Sequence, residues 1–459
     1  MKKVLVLILA FLMIVCSFAS CDEGIFIMSD VTDDAQECES NGQDETLKNN
    51  GSENTDVCVH VDFNENHLCD ECNKKITYCL DRTKNHTCDI CDVKLSYCAD
   101  ANKNHLCDIC TSKLNDCRDE DKNHICDYCF AILDDCVDSD TNYKCDYCGK
   151  SAYERNADTI TFGSYPQTKI SDTHLINKLN SLSGKLPTSV DNKAWTSYGY
   201  YVVGQVENYM WYIDIEERGE KYRGVYFTSY RPSLTTNDFP NDNKVYWNNQ
   251  YKNGYRTSMV YWFRYEPISW TVVSKDKTNG TAIVLCDMIM DSHEFYIDKN
   301  DRVVGGDTFY SNNYEHSTIR KWLNDTFYNT AFGEFESQII LSTMVDNSRI
   351  STGVSQNRYF CENTEDKIFL LSTVEIMEID TNLGKSVLRK KPTDYAKAQG
   401  TSSDISVNHS GEGSWLLRSP DESCSYSLCS IDSEGSYIGY RTVVDAATAG
   451  VVPVLQIKL

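Results

Sequence analysis

Apolar positions divide this chain of 459 residues into stretches of very different character. The first run, Val4–Val15, follows Lys2 and Lys3 and is too short and wrongly flanked for a spanning helix. It has the layout of a secretory signal over residues 1–20. Residues 21–57 offer almost nothing to bury, and the pattern there predicts a disordered tether. Between residues 58 and 150 cysteines replace the usual apolar periodicity. Beyond residue 156 the alternation returns. "DTITFGSY", "YGYYVVGQV", "YMWYIDI", "YRGVYFTSY", "PISWTVVSK", "TAIVLCDMI", "DKIFLLS", "SWLLRS" and "VVPVLQI" all read as strands. In "STIRKWLNDTFYNTAF", Ile319, Trp322, Leu323 and Phe327 stand at helical spacing behind Ser317, a natural N-cap. "EFESQIIL" predicts a short helix, and "TDYAKAQG" one closed by Gly400. Strands with a few helices between them make residues 156–459 an α+β domain.

Charge sharpens these boundaries. The net charge is −24, of which −10 lies in residues 22–57 and −9 between Cys58 and Cys148. Such a surface repels nucleic acid and attracts cations.

The cysteine region is a fivefold repeat with a period of 19 residues. "ENHLCDEC", "KNHTCDIC", "KNHLCDIC", "KNHICDYC" and "TNYKCDYC" each carry a Cys-x-x-Cys pair, and in the last four copies another cysteine precedes the pair with eight residues between. Copy one holds Cys58, His60, His67, Cys69 and Cys72; copy two holds Cys79, His86, Cys88 and Cys91. Copy three holds Cys98, His105, Cys107 and Cys110; copy four holds Cys117, His124, Cys126 and Cys129. Copy five keeps Cys136, Cys145 and Cys148 but has Tyr143 in place of the histidine.

Three thiolates and one imidazole are a full tetrahedral ligand set for structural zinc. On this reading copies one to four each bind one zinc through their own residues, and copy five lacks a ligand. A second reading starts from the Asp-x-Asn-x-Asn-x-x-x-Asp pattern, as in Asp62 to Asp70 and Asp119 to Asp127, which resembles a calcium loop with its glycine and final glutamate missing. The cysteines would then form disulfides, as export favours. The repeats themselves resemble those common in surface proteins of anaerobic bacteria.

The pair Ser20-Cys21 resembles the lipobox of bacterial lipoproteins. It implies a lipid on Cys21 and a membrane-anchored protein on the outer face of the cell, or a secreted one if cleavage is simple. In the C-terminal part, "ITFGSYPQ" (Ile160–Gln167), "EPISWTVV" (Glu266–Val273), "STIRKWLNDTFYNTAF" (Ser317–Phe332), "DKIFLLSTVE" (Asp366–Glu375), "GSWLLRSP" (Gly413–Pro420) and "GVVPVL" (Gly450–Leu455) occur in order. This stretch, from about residue 157, resembles a family of uncharacterised domains on bacterial surface proteins. The usual arginine of its last motif is Val452 here. In outline the family is similar to C-type-lectin-like domains of the formylglycine-generating-enzyme kind. Those enzymes use a Cys-x-x-x-x-Cys pair with copper, a spacing shared by Cys424 and Cys429. The acidic, serine-rich setting of these two favours a disulfide over a redox centre.

No Gly-x-Ser-x-Gly, phosphate-binding loop or His-Glu-x-x-His motif is present, so no catalytic residue is nominated. Trp195, Tyr200, Trp211, Trp247 and Trp262 are available for sugar stacking or for a core. The expectation is a surface lipoprotein whose domain binds a glycan or a surface protein from the end of a cross-linked stalk. An oxidoreductase or hydrolase on the same fold, or a structural wall component, stays open.

Overall fold

The computed structural model describes residues 83, 84, 86–88, 100, 101, 103, 105–108, 111–114 and 116–459, apart from 188–193, 199, 203, 204, 208, 209, 231–247, 404–410 and 445–448. The signal, Cys21, the tether and copy one lie outside the described residues. Among the described residues, no helix is long and apolar enough to cross a membrane.

A ten-stranded sheet forms from β1 (Glu154–Asn156), β2 (Thr159–Lys169), β3 (Thr196–Ser197), β4 (Met210–Glu217), β5 (Glu220–Phe227), β6 (Val260–Asp276) and β7 (Thr281–Cys286), with three strands from further along the chain. The 17-residue β6 organises it. Its first residues pair with β5, its middle with β2 and its last residues with β7, all antiparallel. β8 (Asp291–Ser292) opens a second sheet, while β9 (Ile340–Leu341) and β10 (Ile368–Phe369) return to the first. β11 (Trp415–Pro420), β12 (Ser427–Ile431), β13 (Tyr437–Val443) and β14 (Gly450–Val451) complete the second sheet. β15 (Val454–Lys458) ends in the first sheet, between β9 and β7. The domain is α+β, mostly strands with a few short helices, as the alternation predicts.

The core explains the "FGSY" turn. Trp270 of β6 stacks on Phe162 of β2 with ring centroids 5.4 Å apart, and its Nε1 donates to the Phe162 carbonyl at 3.1 Å. Gly163 follows at φ +68°, where a Cβ would lie 2.5 Å from the ring of Phe332. Only glycine fits there. Trp195, Trp211 and Trp262 are all buried, so three of the residues considered for sugar stacking are core. Trp247 and the side chain of Tyr200 lie outside the described residues.

The helices depart from expectation in two places. The segment α1 (Thr173–Leu182) begins at Asp172, whose carboxylate accepts from Leu175 N. Ser317 caps α2 (Thr318–Trp322), which widens through a π turn over Leu323–Phe327 before α3 (Tyr328–Ala331). "EFESQIIL" is helical only over α4 (Glu334–Ser337); Ile340 and Leu341 are taken by β15 instead, opposite Ile457 and Gln456. "DKIFLLSTVE" is a strand only at its start. Ser372 and Glu375 form a capping box and launch α5 (Thr373–Leu383). α6 (Asp394–Gln399) ends at Gly400 with φ +117°.

Arg418 is 2 % exposed and binds across this junction. Its guanidinium donates to Glu375 at 2.5 and 2.8 Å, to Asn347 Oδ1, and to the carbonyls of Leu370 and Asp346. Removing it leaves a carboxylate and two carbonyls without their donor. Arg418→Ala should lower stability by about 3 kcal/mol or more, measured by urea denaturation of the full chain. Arg418→Lys should recover little, because one ammonium cannot reproduce the fork. A loss well under 1 kcal/mol would contradict this role.

Candidate metal centres

Each described copy is built on its Cys-x-x-Cys pair. In copy four, Cys126 N donates to Ala131 O and Phe130 N donates to Cys126 O, so the chain reverses around the first sulfur. Copies three and five repeat the pattern from Cys107 and Cys145. The bridge of Ile125 with Ile132 and the bond from Leu133 N to His124 O then fold the chain back over its own histidine. Three residues after Leu133 comes Cys136, the first cysteine of the next copy.

This fold-back decides the ligand sets. His105 meets Cys117, Cys126 and Cys129 of copy four, and His124 meets Cys136, Cys145 and Cys148 of copy five; in each group one ligand atom per residue lies within 4.8 Å of all the others. His86 follows the same rule, with Nε2 2.9 Å from Cys107 of copy three. The expectation that every copy supplies its own histidine is therefore corrected. The histidine is handed forward by one copy. Copy five, expected to be incomplete because of Tyr143, has a full Cys3His set, and its three cysteines are metal-ligand candidates that spacing within one copy missed. Cys88, like Cys107, is buried; Cys58, His60, His67, Cys69, Cys72, Cys79, Cys91, Cys98 and Cys110 lie outside the described residues.

The distances fit zinc. Two sulfurs about 2.3 Å from one ion at the tetrahedral angle stand roughly 3.8 Å apart, and a sulfur and a nitrogen roughly 3.5 Å. Cys117 and Cys129 are 3.8 Å apart, as are Cys136 and Cys148. His105 Nε2 is 3.2 Å from Cys126, and His124 Nε2 is 3.4 Å from Cys145. A disulfide would bring sulfurs to about 2.05 Å, and these cysteines are free.

The electrostatics ask for a cation. Burial pushes the Cys126 thiol up, but hydrogen bonds from the backbone N–H groups of Cys129, Tyr128 and Arg118 and from His105 outweigh it and bring it down to about 6. Cys145 reaches about 6 against the same burial, through Cys148, Tyr147, Val137 and His124. Their neighbours move the other way. Burial and then contact with Cys129 push Cys117 up to about 11, and burial and contact with Cys148 push Cys136 up to about 12. Cys126 and Cys145 are thus favoured as thiolates, whereas Cys117 and Cys136 would need a bound cation to give up their protons.

The aspartates of the repeat serve the turn. Asp119 accepts from Asn123 N at 2.9 Å and His124 N at 2.8 Å, and Asp127 accepts from Glu120 N. Asp138 and Asp146 do the same in copy five, Asp100 and Asp108 in copy three. Two acidic triads result, Asp119, Asp121 and Asp127, and Asp138, Asp140 and Asp146. Their carboxylates accept from backbone N–H groups and from the Asn123 and Asn142 side chains, which gives the periodicity a role in the turn. Asp100, Asp119 and Asp138 accept from the N–H groups of His105, His124 and Tyr143, which stand at φ 64°, 67° and 63°.

Neighbouring copies also touch through aromatic rings. Tyr128 lies 5.0 Å from the ring of His105 and Tyr147 5.0 Å from that of His124, with Lys103 and Lys122 over the two tyrosines. These contacts cross the same junctions as the proposed metals.

Elsewhere, the expected Cys424–Cys429 disulfide is not formed. Cys424 donates to Ser427 Oγ at 3.0 Å, while Cys429 points from β12 towards Pro420 O and the Tyr437 hydroxyl. The strand directs the two sulfurs to different partners. Cys286 and Cys361 are free as well. Arg418 binds a carboxylate of the protein, not an open site.

A forward-handed histidine has a measurable signature. His105→Ala should lower the bound zinc by one and leave Cys117, Cys126 and Cys129 open to alkylation, with Cys107 still protected. Mass spectrometry of alkylated full-length protein reads this directly. Labelling of Cys107 in place of the copy-four cysteines would restore the within-copy assignment.

Residues 279–459 match the family model described as a domain of unknown function (DUF6273), a shorter span than the resemblance drawn from residue 157. No curated protein and no solved structure matches the chain. The C-terminal part of this α+β domain is thus similar to a family of unknown function.

Proposed function

We propose that this chain is a cell-surface protein in which zinc-cross-linked repeats form a stiff stalk that carries the α+β domain. The observation that carries this reading is the closing of the copy-four and copy-five cysteine triplets by the preceding copy's histidine. A metal held in that way joins two copies, so every ion is a cross-link along the stalk. Segments of 19 residues have no core of their own, and structural zinc contributes on the order of 10 kcal/mol of folding energy.

The remaining parts of the proposal rest on sequence. Cys21 carries a lipid and holds the protein at the outer face of the membrane, with residues 21–57 as the tether. The domain takes a glycan or a protein ligand on a C-type-lectin-like scaffold, a reading supported by the pairing of Trp415 with Gly450 in the second sheet. With Trp195, Trp211 and Trp262 buried, any aromatic contact to such a ligand falls to exposed side chains such as Tyr426 and Tyr437.

Metal removal tests the stalk. Full-length protein prepared reduced and zinc-replete should contain zinc, and chelation should raise its radius of gyration in small-angle scattering while the near-ultraviolet signal of the domain's tryptophans persists. Calcium without zinc, with all thiols oxidised, or unchanged scattering after zinc loss would sink the proposal. Cys21→Ala should move the protein from the membrane fraction to the medium; equal retention of both forms would remove the anchor.

A further inference from the structure

The two centres share a ligand set but not their surroundings. His124 Nδ1 lies 2.5 Å from Asp134 Oδ1, leaving Nε2 to face Cys145. His105 Nδ1 is buried and finds no partner among the described residues. A carboxylate behind a metal-binding histidine fixes the ring and its tautomer and strengthens it as a ligand.

The second difference is the support behind the cysteines. Cys145 and Ala152 belong to the domain's hydrophobic core, and Cys136, Tyr143 and Cys148 pack against it. Lys458 of β15 lies over the Tyr143 ring at 6.0 Å. The copy-five hairpin closes at the bridge of Lys144 with Ser151 and runs within three residues into β1 of the main sheet. Cys117, by contrast, is exposed. The domain thus orders copy five before any metal arrives, whereas copy four meets the domain edge-on, at Ile125 beside Gly219, and otherwise depends on its metal and on copy five for order.

We propose that the centre of His124, Cys136, Cys145 and Cys148 is the anchoring site of the array: it takes its metal first and holds it longest, because Asp134 orients His124 and the folded domain holds the cysteines. Loading then runs from the domain outward. The inference rests on the zinc reading above, and deepens it by giving the array a direction.

Stepwise chelation of zinc-loaded full-length protein, with alkylation at each step, tests it. Cys117, Cys126 and Cys129 should become labelled before Cys136, Cys145 and Cys148. Asp134→Ala and Asp134→Asn should weaken the last-held zinc roughly 10- to 100-fold and erase that order, while Asp135→Ala should leave it intact. Persistence of the domain's near-ultraviolet signal in each variant shows that folding is not at issue. Simultaneous or reversed labelling, or an unchanged last zinc in both Asp134 variants, overturns the anchor while leaving the zinc sites standing. A protein that holds no zinc at the start overturns both.

Discussion

The described repeats depend on one contact, between the imidazole of one copy and the thiols of the next. A site completed by its own copy would make a string of independent beads. Completion by a neighbour removes that independence, because a copy that loses its predecessor loses a ligand. The array becomes quasi-one-dimensional, with stability held in junctions as much as in units. The tyrosine–histidine contacts at 5.0 Å reinforce the same junctions. In our proposal bending the stalk would require breaking metal–ligand bonds, which is a better source of stiffness than a loop-rich chain has alone.

Delivering the histidine forward carries a conformational cost. Lys122 and His124 both take positive φ, at 59° and 67°, where a side chain costs roughly 1–2 kcal/mol. Asp119 offsets it by accepting from two backbone N–H groups, one of them that of His124 itself. The acidic residues that resemble a calcium loop are therefore scaffolding for a nitrogen ligand. Their surplus charge also suits the cation binding we propose.

Much of this was readable in the sequence, and one decisive part was not. The Cys3His donor type and the polar turn before each pair follow from residue identity. The ligand register does not, since a 19-residue period looks the same whether His105 turns to Cys107 or to Cys126. Only the fold-back from Cys126 to Leu133, made by backbone hydrogen bonds, breaks that tie. In the domain, alternation located β4 and β5 well but only the second half of β6, missing the stretch from Val260 that pairs with β5. It misjudged Ile340 and Leu341, whose apolar character serves a strand or a helix equally until β15 claims them. It stopped a strand at Ser372 without naming the helix that follows, although the Ser372–Glu375 box marks a helix start. The Cys424–Cys429 spacing suggested a bond that the direction of β12 does not allow.

The irregular ends of the repeat become intelligible once the array has a direction. Histidines passed forward are needed everywhere except in the last copy, which has no successor. There the position holds Tyr143, and its ring packs on the domain beside Lys458. A residue freed from ligation has become a docking residue. The first copy has the opposite problem, having no predecessor, and it alone carries a second histidine, His60. Five cysteine triplets are thereby matched by five histidines, His60, His67, His86, His105 and His124. Counted within copies, the same residues leave one copy with two histidines and one with none. In our proposal the forward hand-over makes the count even, and Tyr143 stands where the last copy packs on the domain.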